Sequence, residues 1–499
     1  PLNGTNLIPE IINPNQYVGV TTYTGDSNPI PLKTGFRPDL VWIKSRTGTT
    51  TTVVFDSVRG LANYLQASEQ DQSYSGGISE TYPDGYLVPT GAASNSGSSN
   101  NYVTWTWKAG GSKGTFNVDD VGYANASDVN MSVGSLNSAA YNQSSVWTDD
   151  LTGTPYPGQT LSRLFDGTTS TGLIPNNGTS ITFSPTGFSS ISKLRIYGYS
   201  YTGNANGIRV NGNDYTSLFN TGGNYGGSSK WVTIPETHLS SVEWSINSNG
   251  LENGHLGGIE VDGKLLVDQG VSVTNVPLVP NTGCSVGTKQ GFSIITYNAT
   301  GSNLTAAHGL SKRPGFIILK SKNVSGDWLV WHQSLAGVDR FLKLNETITQ
   351  TQASNVFLSV DENTFGTGND SGINSSNQEK LAYIWHDVPG LQKFGTYEGN
   401  TSTPAYVNLG FRPAMIWIKA IDQTWYWNIH DSKRSPINPT TGNFLRPDVT
   451  FVEGAASGNN NIDFLSNGFK IRSTTAQSEP TNVNGQTYIY CAWAEAPPF

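Results

Sequence analysis

The sequence predicts an all-β chain, built of three repeated antiparallel β-sandwich-like domains plus one inserted β-sandwich. Three observations predict it. Short β-branched and aromatic runs alternate with Asp-Gly and Asn-Gly turns such as Asp84-Gly85 and Asn467-Gly468. No stretch carries a sustained helical period with caps. One block of sequence occurs three times.

The repeated block opens with a turn carrying Arg-Pro and continues into a strand ending in Lys. It reads Gly35-Phe36-Arg37-Pro38-Asp39-Leu40-Val41-Trp42-Ile43-Lys44 in the first copy and Gly410-Phe411-Arg412-Pro413-Ala414-Met415-Ile416-Trp417-Ile418-Lys419 in the last. A weaker middle copy is Lys312-Arg313-Pro314-Gly315-Phe316-Ile317-Ile318-Leu319-Lys320. The register then holds. Nineteen residues beyond Arg37, Arg313 and Arg412 stand Asp56, His332 and Asp431, each ending a second strand. An Arg follows three residues later in two copies, Arg59 and Arg434, where the middle copy has Leu335. Each copy closes on an aromatic strand that includes Trp107, Trp385 or Trp493, and an opening strand precedes each Arg-Pro turn. Four or more strands in about 100 residues make a domain of common size.

The first two copies are separated by a different module. The expected boundaries are residues 1–112 for repeat A, 113–282 for the insert, 283–391 for repeat B and 392–499 for repeat C. Gly110-Gly111-Ser112-Lys113-Gly114 reads as a linker. The insert offers strand candidates at Leu194-Arg195-Ile196-Tyr197, Trp231-Val232-Thr233-Ile234 and Val242-Glu243-Trp244-Ser245-Ile246. It ends in a hairpin at Asp262-Gly263, because a type I′ turn needs positive φ at both central positions.

Composition narrows the function classes. Only 13% of the residues are charged, about half the usual ~25%, and polarity comes from Asn, Ser, Thr and 56 Gly. The net charge is −8 and no Lys/Arg run is present, which argues against a nucleic-acid partner. No apolar run approaches the ~18 residues of a membrane-spanning helix. The start at Pro1, with no leader-like segment, is expected to mark a processed or partial product. Two distant cysteines, Cys284 and Cys491, make no disulfide framework, and Cys491 is expected to be a buried free thiol.

No catalytic constellation is visible, and the chain is expected not to be an enzyme. The six histidines form no ligand pair at zinc spacing. Gly110-Gly111-Ser112-Lys113-Gly114 matches Gly-x-Ser-x-Gly formally but lacks the strand and helix a nucleophile elbow needs. Asp361-Glu362-Asn363-Thr364-Phe365-Gly366 reads as a turn, since Phe365 offers no oxygen to a calcium ion. His332, at the position of Asp56 and Asp431, reads as a strand-end hydrogen-bonding group. Arg37, Arg313 and Arg412 read either as three anion sites or as loop braces directed at Asp56 and Asp431, and the brace is preferred. Trp427 aligns with Trp328 and reads as core. Trp425 has no aligned aromatic partner and is the candidate exposed platform for a sugar ring.

The Gly-Phe-Arg-Pro-x-x-x-Trp-Ile-Lys strand, the Asp-Ser-x-Arg turn and the closing aromatic strand together resemble large fiber-like virion proteins of marine tailed phages, notably those of cyanobacteria. The resemblance implies a virion surface location. It also implies a tail or capsid appendage, a homo-oligomer with three copies expected, contact with other virion proteins, and attachment to a host cell-surface glycan. The insert resembles galactose-binding-like jelly rolls through Phe165-Asp166-Gly167 and the Asp262-Gly263 hairpin. Some such modules hold a structural calcium ion, which by resemblance makes Asp166 the calcium candidate. A carboxylate bracing its own loop is the preferred alternative, and no other cofactor is expected. Competing readings of the whole are a secreted bacterial adhesin or carbohydrate-binding protein, and a polysaccharide depolymerase.

Overall fold

The computed structural model describes residues 10–71, 73–91, 93–97, 99–124, 140–141, 146–167, 171–191, 193–200, 207–219, 229–246, 254–262, 264–269, 278–279, 281–440, 443–454, 461–472 and 481–495. The chain is all-β and divides into two compact units. One unit comprises residues 1–129 and 281–499, and the other residues 130–280. The three repeats therefore share a unit rather than standing as separate domains.

Each repeat contains the same four-stranded core sheet: opening strand, closing strand, Arg-Pro strand, second strand. In repeat A these are Val18–Thr24, Asn101–Trp107, Leu40–Ser45 and Val53–Asp56. In repeat B they are Phe292–Asn298, Glu379–Trp385, Phe316–Ser321 and Leu329–His332, and in repeat C Gln392–Glu398, Thr487–Ala494, Pro413–Ala420 and Asn428–Asp431. Registers coincide as well. Leu40 lies opposite Trp107 and Asp56, Phe316 opposite Trp385 and His332, and Met415 opposite Trp493 and Asp431.

A smaller sheet covers one face of each core sheet. In repeat A, Leu32, Tyr86 and Val88 of the small sheet pack with Val41, Ile43 and Phe55. In repeat C, Val407, Phe464 and Phe469 pack with Ile416 and Ile418. Residues of alternate parity on the Arg-Pro strand, Trp42 and Lys44 or Trp417 and Lys419, point to the opposite face. That face is buried too, so every residue of Leu40–Ser45 and Pro413–Ala420 is buried. Burial on both faces explains why these strands read as continuous apolar runs instead of alternating ones.

The second buried face is where the repeats meet. Trp107, Trp385 and Trp493, one from each repeat, contact one another pairwise at ring-centroid separations of 6.1, 5.5 and 6.1 Å, all edge-to-face. Such geometry sets the positive edge of one indole against the negative face of the next, worth roughly 0.5–1.5 kcal/mol per pair beyond area burial. Trp42 adds contacts to Trp417 at 5.0 Å and Trp328 at 6.1 Å.

Polar joints close the three repeats into a ring. Trp105 Nε1 of repeat A donates to Asp431 of repeat C at 3.1 Å. Tyr383 of repeat B donates its hydroxyl hydrogen to Asp56 of repeat A at 2.8 Å. His332 Nε2 of repeat B lies 3.2 Å from the Tyr490 carbonyl of repeat C. A second set follows the same cycle. Lys320 reaches the Gln70 carbonyl at 2.8 Å, Trp427 Nε1 the Lys343 carbonyl at 3.0 Å, and Lys44 the Val449 carbonyl at 2.6 Å.

The segment expected to be a free linker is built into this unit. Gly110 N–H donates to Ser285 Oγ at 2.9 Å and Gly111 N–H to Asp39 at 3.1 Å. Phe116–Val118 then pairs in parallel with Asn281–Gly287, extending the sheet of repeat B. These pairings hold Phe116–Val118 within the repeat body, past the expected boundary at 113.

The other unit contains two five-stranded sheets around a core that includes Phe165, Phe183, Ile196, Val232 and Trp244. Gly254–Val261 and Lys264–Leu266 pair antiparallel across the expected hairpin, and Asp262 has φ of 50°. Gly263 lies outside the described residues.

Candidate functional site

The Asp and Arg positions singled out from sequence form buried pairs, but not the pairs expected. Asp56 accepts from Arg59 Nε at 2.5 Å, and Asp431 from Arg434 Nε at 2.6 Å, with all four side chains almost wholly buried. Arg37 and Arg412 do not reach Asp56 and Asp431. Three residues after a strand end, the Arg of Asp-Ser-x-Arg turns back onto its own Asp, so the Asp is already paired when the Arg of the Arg-Pro turn takes other partners. Arg412 instead pairs with Glu495 at 2.8 Å and donates to the Phe464 carbonyl. Arg313 donates to the Val360 carbonyl at 3.0 Å and lies over Trp331. Arg37 is exposed.

The middle repeat lacks both members of the buried pair. His332 replaces the Asp and Leu335 the Arg, so charge is removed as a unit, in keeping with the cost of an unpaired buried ion. Burial pushes His332 down to about 4, so its imidazole is neutral at pH 7. Trp107, Trp385 and Trp493, read from sequence as repeat positions, form the centre of the repeat body and face no solvent.

Trp425 is not an exposed platform. It is half-buried, packs on the core of repeat C and stacks on Tyr488 at 6.4 Å. Trp427 is fully buried, as its alignment with Trp328 implies. Asp166 is half-buried and accepts a hydrogen bond from Thr171 Oγ1, the role of a loop-bracing carboxylate. Among the described residues no three His, Cys, Asp or Glu side chains gather as a metal site. Asp361 accepts from Asn363 N–H and Thr364 N–H at 2.8 and 2.7 Å, which makes the acidic segment there a turn. Cys284 and Cys491 are free and buried.

The cleft best suited to a ligand was not singled out from sequence. It is an opening of about 420 Å³ on repeat A, within the ~300–1,000 Å³ of small-ligand sites. Tyr64 and Phe55 form an aromatic wall with ring centroids 5.8 Å apart. Tyr74 stacks on Tyr64 at 5.4 Å and continues the aromatic run to the surface. Thr49, Thr50, Thr51 and Gln66 also line it. Among the described residues the side chain of Gln66 has no hydrogen-bond partner, and the buried Thr50 hydroxyl has none either. No lining residue is charged. The cleft can thus offer a ring face, hydroxyls and an amide, without a formal charge. Its residues come from four separate stretches of repeat A and from Thr450 of repeat C, so no local motif marks it.

The insert carries a second aromatic cluster. Tyr197 and Trp231 lie 5.3 Å apart on one sheet face, and Arg195 covers Trp231 at 4.7 Å while pairing with Glu260. The guanidinium occupies a ring face that a ligand would need.

Fold and clefts together define an all-β repeat protein whose three sandwiches close on one another around tryptophan. The chain belongs to the family described as domain of unknown function (DUF7483), whose model matches residues 13–143 and 267–497. The match leaves out most of the insert. No curated protein matches the chain. Of solved structures, a mycobacterial arabinofuranosyltransferase overlaps 96% of this chain and 38% of its own at 6% identity and a TM-score of 0.17, too low to carry any argument. The chain thus spans well under half the length of that structure.

Proposed function

We propose that this chain is a fiber-like appendage protein on the surface of a tailed-phage particle, and that it attaches to neutral glycans of the host envelope without chemical turnover. The observation that carries the glycan reading is the uncharged cleft of repeat A. Saccharide C–H faces pack on aromatic rings, and their hydroxyls exchange hydrogen bonds with hydroxyl and amide side chains such as Thr49, Thr51 and Gln66. The resemblance of the repeat motif to fiber-like phage proteins supports the virion setting. A homo-oligomer of three copies and contacts with other virion proteins belong to the same proposal. Many copies per particle would turn weak single-site affinity into firm attachment.

The test is binding of the purified, labelled chain to host cells and to their isolated surface polysaccharide. Gln66→Ala is expected to weaken binding at least tenfold while melting close to the wild type, and Tyr64→Ala to weaken it as much at a lower melting temperature, since Tyr64 also packs on the core of repeat A. Wild-type binding by both variants would move recognition away from this cleft, and absence of binding by the parent chain would end the attachment reading.

A further inference from the structure

The threefold repetition supplies an internal comparison for one arginine. In repeat C, Arg412 is neutralised by Glu495, which lies two residues after Trp493. The same position, two beyond the closing Trp, is Asp387 in repeat B and Ala109 in repeat A. Arg313 of repeat B is held by a carbonyl and by the face of Trp331. Arg37 of repeat A is exposed and makes no hydrogen bond or ion pair among the described residues.

Arg37 borders a recess of about 300 Å³ whose other polar side chains include Asp39, Lys108, Ser112, Lys113 and Asp120. Three of the charges already have partners. Lys108 and Asp120 pair at 2.7 Å. Asp39, buried beneath the recess, accepts from the N–H groups of Ala109 and Gly111 at 2.8 and 3.1 Å. The recess thus holds three cations against two carboxylates: Arg37 feels the charge of Asp39 without a hydrogen bond to it, and Lys113 has no ion-pair partner among the described residues. The Ser112 hydroxyl is buried and has no partner among the described residues. A planar guanidinium, an ammonium and an unpartnered hydroxyl lining one polar recess suit an oxyanion, which takes the Arg fork through two oxygens.

We propose that repeat A binds an oxyanion group, carboxylate or phosphate, in this recess, with Arg37 as its principal ligand and Lys113 and Ser112 as further donors. The site is separate from the uncharged cleft and stands whether or not that cleft takes a sugar. Two sources share the chemistry: acidic saccharides bearing carboxylates, and phosphate-bearing surface polymers.

The experiment titrates the full chain at low ionic strength with glucuronate, with inorganic phosphate and with glucose as the neutral control. Saturable binding of at least one anion is expected, with glucose silent at this site. Arg37→Met is expected to weaken it at least tenfold and Lys113→Met by less, both melting as the wild type does because both side chains are exposed. Arg412→Met, which removes the equivalent side chain from repeat C, is expected to leave anion affinity unchanged. A response to glucuronate alone assigns the acidic-saccharide source, and a response to phosphate alone the phosphate polymer. Failure of both anions to saturate the wild type overturns the site, as does wild-type affinity in Arg37→Met. Because no cell or polymer enters the assay, this result is independent of the outcome with Tyr64 and Gln66.

Discussion

At the scale of single residues, the buried Asp–Arg pair of the repeats is present or absent as a unit. Asp431 and Arg434 are buried together, while the equivalent site in repeat B carries His332 and Leu335. Arg434→Leu alone strands a buried carboxylate and is expected to cost about 3–5 kcal/mol in denaturant unfolding. Asp431→His with Arg434→Leu copies repeat B and is expected to recover a large part of that loss. His430 offers a test by pH. Both its ring nitrogens lack partners among the described residues, and burial pushes it down to about 3. Between about pH 3 and 6.5 the unfolded chain binds a proton that the folded chain refuses, so this residue's contribution falls as the solution is acidified. His430→Leu is therefore expected to show a shallower loss of stability between pH 6.5 and 4 than the wild type, by up to about 1.4 kcal/mol per pH unit. The recurrence of Asp56 and Asp431 was legible in the sequence. Their partners were not, because spacing along the chain does not reveal that an Arg three residues on folds back while one nineteen residues earlier faces elsewhere.

Elements were more legible than sites. The Arg-Pro strands, second strands and closing strands lie where periodicity and turn chemistry place them, since β-branched and aromatic runs have one way to satisfy both backbone and burial. What the sequence did not disclose is that both faces of these strands are covered and that Trp425, expected as an exposed platform, is half-buried on the core of repeat C, while Trp107 is fully buried. Truncation separates them: Trp107→Ala is expected to cost about 3–5 kcal/mol, and Trp425→Ala distinctly less, as read from urea midpoints. The glycine run misread as a linker belongs to the same lesson. A Cβ on Gly110 would meet the Val286 carbonyl oxygen at 2.4 Å. Gly110→Ala is expected to destabilise by roughly 1–3 kcal/mol, whereas a true linker would tolerate it.

For the molecule as a whole, the division into two compact units predicts two transitions in calorimetry, one for the repeat body and one for the insert. Replacing residues 130–280 by a short flexible link is expected to remove one transition and leave the other near its original temperature. A single transition lost altogether in the deletion would show the two to be interdependent. The same variant, applied to cells, tells whether recognition resides in the repeats or in the insert.

The ring of repeats also bears on how such a protein can change over generations. Three identical subunits must carry every surface alteration three times, and a mutation harmful in one setting is harmful in all. A single gene encoding all three positions escapes that constraint. Its joints already differ, an indole to a carboxylate, a phenol to a carboxylate and an imidazole to a carbonyl. Around a shared tryptophan centre each outer surface can drift alone, so that one sector explores new ligands while the other two keep the body folded.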